Sequence, residues 1–162
     1  MDKVDKIIKQ WNQERPDIDV ASMELIGRFK KVDQFFQIAM AKTFSKHNLN
    51  AANFDVLATL RRSGSPFALS PNDLITSTMV TSGTMTNRID QFTKSGLVER
   101  VKNPNDARSV VVSLTKVGFE VIDSILSDHI ETQDKLVSCL SQDEKKQFNT
   151  VLRKLLITFE SE

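Results

Sequence analysis

The sequence predicts a mainly α chain with a small β wing, and three observations carry that reading. Long stretches place apolar residues three and four positions apart. Two short neighbouring runs, "LVERV" and "SVVVSL", are rich in β-branched residues. Pro and Gly number only four and five, so most of the chain is regular structure.

Taken in order, "KVDKIIKQWNQ" reads as a short amphipathic helix that ends at "RPD", and from Ser22 the run Leu25, Phe29, Val32, Phe36, Met40, Phe44 keeps helical spacing to Lys46. Asn48 suits a left-handed stop after it, and Asn50 suits the N-cap of "AANFDVLATLRRS", where Phe54, Leu57 and Ala58 share a face. Ser70, Pro71 and Asp73 then supply a cap, a first-turn proline and an N3 acid for a helix of two turns. A turn at "STMV" leads to a helix from near Thr81 to Ser95, stopped by Gly96 with Leu97 behind it. Two short helices with a tight turn and a sharp stop have helix-turn-helix spacing. "LVERV" and "SVVVSL" form a hairpin across the turn-rich "KNPNDAR". Thr115 caps a helix whose stripe runs Ile122, Ile125, Leu126, Ile130, Val137, Leu140. Ser141 and Glu144 box the start of a last helix with Phe148, Val151, Leu152, Leu155, Leu156 and Phe159 on one side. Terminal helices this apolar need a partner surface. The simplest is the same helices of a second copy, a two-fold homodimer.

Composition bounds the rest. With 162 residues, 40% apolar and 27% charged, the chain suits one compact domain or a domain with pairing helices, and not a disordered tail. No uncharged apolar run spans a bilayer and the start alternates charges, so a cytoplasmic protein with no membrane role is expected. The single Cys139, in the apolar run "KLVSCL", reads as a small hydrophobe. The net charge of +1 conceals a gradient: residues 61–116 hold eight Lys/Arg against four Asp/Glu, and residues 117–162 hold five against nine. A local basic excess of this kind suits a small phosphate-binding surface. Two histidines on separate long helices, one cysteine and no Gly-rich phosphate loop argue against an enzyme, a metal site or a bound cofactor.

In "TSGTMTNRID", Met85 and Ile89, followed by Phe92, form one face of a helix, and Gly83, Asn87, Asp90 and Lys94 form the other, bordered by Thr86 and Gln91. A major groove admits a helix whose leading side chains are short and hydrogen-bonding, because bulky groups hold the backbone away from base edges. Ser82, Gly83, Thr86 and Asn87 meet that requirement, with double-stranded DNA as the partner. Lys102 and Arg108 on the hairpin suit a flanking minor groove, with Asp106 placed to pair with Arg108.

"SGTMTNRIDQFTKSGLVERVKNPNDARSVVVSLTKVGFEVID" resembles the core of the MarR family of winged-helix repressors: a recognition helix, "GLVER", a wing with Asp-x-Arg, then "LT..G". The resemblance covers nearly the whole chain. It implies a winged helix-turn-helix with N- and C-terminal dimerisation helices, divided as 1–48 for the N-terminal helices (ligand pocket and dimerisation), 49–115 for DNA binding and 116–162 for C-terminal dimerisation. Ala107 stands where arginine is frequent in that family, and Asn48 where glycine is usual.

The extra N-terminal helix bearing Trp11, together with "FDVLATLRRSG", "MTNRID" and "GLVER", is similar to a urate-responsive branch of that family. That branch is marked by a Trp, an Asp and two Arg, which fall here on Trp11, Asp55, Arg88 and Arg100. The resemblance implies a small anionic effector such as urate stacking on Trp11 and pairing with Arg88, with Asp55 repelled by the incoming charge and Arg100 relaying the change. Related members answer to other carboxylates or phenols. Each residue also has a structural reading: Trp11 as packing, Asp55 with Arg88 as an ion pair, Arg100 as a phosphate contact. The rival to DNA binding is a winged helix that binds protein, which would favour an apolar or acidic outer face on the 81–95 helix.

Overall fold

The computed structural model describes the backbone of residues 1–78, 82–103 and 106–161 and, within these, the side chains of all but 82, 83 and 107. The chain forms two compact units, Met1–Lys42 and Thr43–Glu162.

In the first unit, α1 (Lys3–Glu14) opens with Asp2 as its N-cap, in a reciprocal capping box with Asp5. Val4 and Ile8 of α1 pack with Ile18 and Val20 into a small apolar cluster. From α2 (Ala21–Ser45), the Arg28 guanidinium donates to Asp2 at 2.8 Å, to Glu24 at 2.5 Å and to Asp5. That bond from Arg28 and the backbone amides of the capping box hold the Asp2 carboxyl below the usual carboxylate range. Trp11 and Ile7 stay partly exposed on α1, and Leu25, Phe29, Phe35 and Ile38 are more than half exposed along α2.

The second unit holds the main core. Asn48 closes the turn after α2 with a left-handed φ of 55°, a conformation asparagine tolerates. Asn50 then caps α3 (Ala51–Arg62) by accepting from the Asn53 amide. There follow β1 (Ala68–Leu69), α4 (Pro71–Ser77) capped by Ser70, α5 (Ser82–Lys94), β2 (Val98–Asn103), β3 (Asp106–Leu114), α6 (Lys116–Leu136) capped by Thr115, and α7 (Gln142–Glu160) in a capping box between Ser141 and Glu144. The strands form an antiparallel sheet in the order β1-β3-β2. Val56, Leu57 and Leu60 of α3, Leu74 of α4, Met85, Ile89 and Phe92 of α5, and Ile122 of α6 are buried together against Val98, Val112 and Leu114 of the sheet. In contrast, Val151, Leu155, Leu156 and Phe159 are about half exposed or more along α7, which buries no residue of its own.

Several expectations need correcting. The expected hairpin is a three-stranded sheet, because Ala68 and Leu69 pair with Ser113 and Val112; a two-residue strand has no alternation to betray it. β2 and β3 run further into "KNPNDAR" than expected, pairing as far as Asn103 with Asp106, so Lys102 and Arg108 stand on strands and not in a loop. The α6 stripe ends at Leu136, leaving Val137 and Leu140 in the connection to α7, where Cys139 is exposed and not a packed hydrophobe. His47 lies in the turn after α2, not on a long helix. The "STMV" turn falls partly, and the Thr81 start wholly, outside the described residues.

Candidate nucleic-acid interface and ligand cavity

The helix α5 is fixed from behind and at its end. Met85, Ile89 and Phe92 are each no more than 3% exposed in the core. Its C-terminus closes as a Schellman motif: Leu97 N–H donates to the Phe92 carbonyl at 2.9 Å, Gly96 N–H donates to the Thr93 carbonyl at 3.1 Å, and Gly96 takes φ 72°. The Leu97 carbonyl in turn accepts from the Thr115 amide at 3.1 Å, and the Thr115 hydroxyl donates to the Gly96 carbonyl at 2.6 Å, so the end of α5 is bonded to the cap of α6. Thr86 and Asn87 are exposed on the side away from this seam, with Gln91 and Lys94 beyond them. The side chain of Ser82 and the surroundings of Gly83 lie outside the described residues. Arg100 on β2 donates to Asp90 of α5 at 2.6 Å, which joins the outer part of the helix to the sheet. Lys102 is exposed, and Arg108 is almost fully so at 95%, with its Nε 3.5 Å from Asp106. The outward surface of this half of the unit is therefore small, polar and cationic, a set of groups able to donate to phosphates and to base edges.

The four residues of the anion reading have separate surroundings. Trp11 belongs to the first unit and Asp55, Arg88 and Arg100 to the second. Asp55 lies 3.6 Å from Arg62, Arg88 donates through Nη1 to the Asn53 side-chain carbonyl, and Arg100 is held by Asp90. The Arg88 Nε is buried and has no acceptor among the described residues. A buried guanidinium N–H without a partner is uncommon and marks a place where an acceptor would be stabilised.

A cavity of about 410 Å³ lies between α3 and α6, lined by Phe54, Ala58, Arg61, Arg62, Leu126 and His129. The His129 ring stacks with Phe44 and lies 4.7 Å from Phe54, and its Nδ1 is buried without a partner among the described residues. Burial pushes the His129 imidazole below its ordinary value, so the neutral ring is favoured. Its neighbour Asp128 meets His47 Nε2 at 2.8 Å, which ties α6 to the turn after α2. Arg61 is immobilised: it donates to both carboxylate oxygens of Asp123, at 2.7 and 3.3 Å, and its guanidinium lies 4.3 Å from the Phe119 ring centre. Arg62 is more exposed and donates to the Ser77 carbonyl at 2.5 Å, at the last residue of α4. Sequence reasoning missed this group because Phe54 and Ala58 read as core and the α6 side lies far along the chain; the adjacent pair of arginines ending α3 was the only signal.

A MarR family profile matches residues 49–110. The HTH-type transcriptional regulator PecS of Dickeya dadantii (strain 3937) is 38% identical over 150 residues, which are 93% of this chain and 90% of that protein. Among solved structures, a mutant MarR from E. coli complexed with operator DNA superposes with a TM-score of 0.68 at 26% identity, covering 90% of this chain and 97% of that one. AbsC, a MarR family transcriptional regulator from Streptomyces coelicolor, shares the fold with a TM-score of 0.78 at 16% identity, covering 90% of this chain and 98% of that one. With an exposed polar helix carried on a helix-turn-helix and a three-stranded wing, the chain belongs to the MarR family of winged helix-turn-helix transcription regulators.

Proposed function

We propose that the chain is a cytoplasmic, dimeric, ligand-responsive repressor that binds a palindromic operator and leaves it when a small aromatic anion such as urate binds. The observation that carries the DNA reading is the outward face of α5: Thr86 and Asn87 are exposed opposite a buried seam, on a helix whose end is locked. Ser82, Gly83, Thr86 and Asn87 read or register the major groove, and Lys102 and Arg108 hold the wing to the flanking backbone or minor groove. The exposed apolar stripes of α2 and α7 are the surfaces for a second copy, with 1–48 and 116–162 serving pairing and 49–115 serving DNA. Such a dimer sets two recognition helices about 34 Å apart, one duplex turn. The relationship to PecS and to a MarR solved on operator DNA supports this reading.

For the effector, Trp11, Asp55, Arg88 and Arg100 make the urate reading, supported by the unpartnered Nε of Arg88. A second reading, a different carboxylate or phenol, is favoured by the aromatic cavity with arginines at its rim. The test is anisotropy of labelled DNA from upstream of the protein's own gene, titrated with protein and then with urate and aromatic carboxylates. Affinity falling with salt at a log-log slope of several units supports the DNA reading. Indifference to every duplex, or a monomer in solution, overturns it. If ligand still releases Trp11→Ala and Arg88→Ala as it does the parent, the four-residue pocket is wrong.

A further inference from the structure

Arg61 stands where three segments meet. Near the end of α3, its Nε donates to Asp123 Oδ1 at 2.7 Å and its Nη2 to Asp123 Oδ2 at 3.3 Å, so a carboxylate of α6 sets the plane of the guanidinium. Its centre lies 4.3 Å from the Phe119 ring centre and 5.2 Å from that of Phe67, and the two rings meet edge to face at 5.0 Å. With side chains 33% and 41% exposed, the Arg61–Asp123 pair adds little to stability. What it determines is where Phe67 stands.

Phe67 has a backbone that its neighbours must hold. Its φ of 58° lies in the left-handed region, where a bulky side chain is strained and persists only if its surroundings over-determine it. Its amide donates to the Gly64 carbonyl at 2.6 Å, and its carbonyl accepts from the Leu114 amide, at the end of β3, at 3.1 Å. The next two residues are β1, which pairs Ala68 with Ser113 and Leu69 with Val112. A ladder this short holds weakly by itself. β3 carries Arg108 and lies between β1 and β2, with Val110 opposite Lys102.

We propose that Arg61 is a positioning residue for the wing: stacked on Phe67 and Phe119 and held by Asp123, it keeps Phe67 in place, so that β1 seats β3 and sets the reach of Lys102 and Arg108. This rests on the wing reading above and names the brace behind it. A lysine keeps the charge but has neither the flat face nor the two-pronged fork, so it cannot substitute.

The experiment uses the full chain, labelled DNA from upstream of its own gene and a scrambled duplex, with anisotropy read across a salt series. Arg61→Lys is expected to weaken binding to both duplexes by about tenfold and to lower the log-log salt slope by about one to two units, as wing cations leave phosphates. The preference for one duplex over the other stays, because α5 is untouched. A general loss of folded protein would leave the slope alone. In a Lys102→Ala, Arg108→Ala background, Arg61→Lys is expected to have no further effect on slope or affinity. Amide exchange at Leu114, whose acceptor is the Phe67 carbonyl, should be faster in Arg61→Lys than in the parent. Should that variant not fold, Phe67→Leu leaves the Arg61–Asp123 pair whole and is expected to give the same slope and the same Leu114 response. An unchanged slope, unchanged Leu114 exchange, or an equal loss in the background without wing cations overturns the proposal. If removing Lys102 and Arg108 itself leaves the slope as in the parent, the wing reading is what fails; if that removal lowers the slope and Arg61→Lys does not, the brace is what fails.

Discussion

The carbonyl oxygen of Leu97 occupies the space where a Cβ on Gly118 would stand, 1.9 Å from that position. Gly118 is the N3 residue of α6, and its amide donates to the capping hydroxyl of Thr115 at 3.0 Å. Helix propensity alone favours alanine there by about 1 kcal/mol. The clash is with backbone that is bonded to Thr115, so neither side can yield without breaking the junction of α5, β2 and α6. Gly118→Ala is therefore expected to destabilise by about 1–3 kcal/mol, the usual range for overpacking. A thermal melt showing the variant equal to or more stable than the parent contradicts this.

Asp90 and Arg100 form a surface pair, each a little over 40% exposed, so its loss should change stability by less than about 1 kcal/mol. Its effect on DNA binding is larger in kind. Asp90→Asn removes a negative charge from the proposed DNA side and frees Arg100, so operator affinity is expected to rise, with a steeper salt dependence by about one unit. Unchanged affinity and slope would place this pair away from the duplex.

Asn87 is exposed on the side of α5 away from its buried seam, so Asn87→Ala should leave the melting temperature nearly unchanged. Loss of a bidentate base contact costs about 1–3 kcal/mol, roughly 5- to 150-fold in specific affinity. Binding to a scrambled duplex should be spared. A uniform loss on both duplexes would assign Asn87 to phosphate.

His129 gives the fold a dependence on acid. Burial lowers its folded pKa below the ordinary value of about 6.5, so the unfolded chain takes up the proton first. Stability from the neutral ring is complete above about 6.5 and is lost as pH falls from there through the folded value. The comparison is made in a His47→Gln background, which removes the chain's other histidine. There, His129→Phe should flatten the decline in melting temperature below about pH 6.5. An identical decline in both proteins would show that other groups are responsible.

Local chemistry made much of the fold readable. The caps Asn50, Ser70, Thr115 and Ser141 act on amides three residues away, and the glycine stop at Gly96 is closed within six residues, so each is written in nearby letters. The buried seam of α5 followed from spacing alone. What could not be read is what joins distant segments. β1 exists because Ala68 meets Ser113, Arg61 reaches Asp123 on a helix 62 residues later, and His47 meets Asp128 across 81 residues. Phe54 and Ala58 illustrate the limit: spacing places them on the core-facing side of α3, where they pack against the main core, but that they also line a cavity depends on the opposing helix.

The bonded corner at Gly96, Leu97 and Thr115 makes α5 a lever with its fulcrum at the C-terminal end. A helix of 13 residues is about 20 Å long, so a tilt of about 10° about that corner carries its leading end some 3 Å sideways, close to the rise of one base pair. A disturbance arriving at the α4 side acts on the long arm, where small angles become whole steps of sequence register.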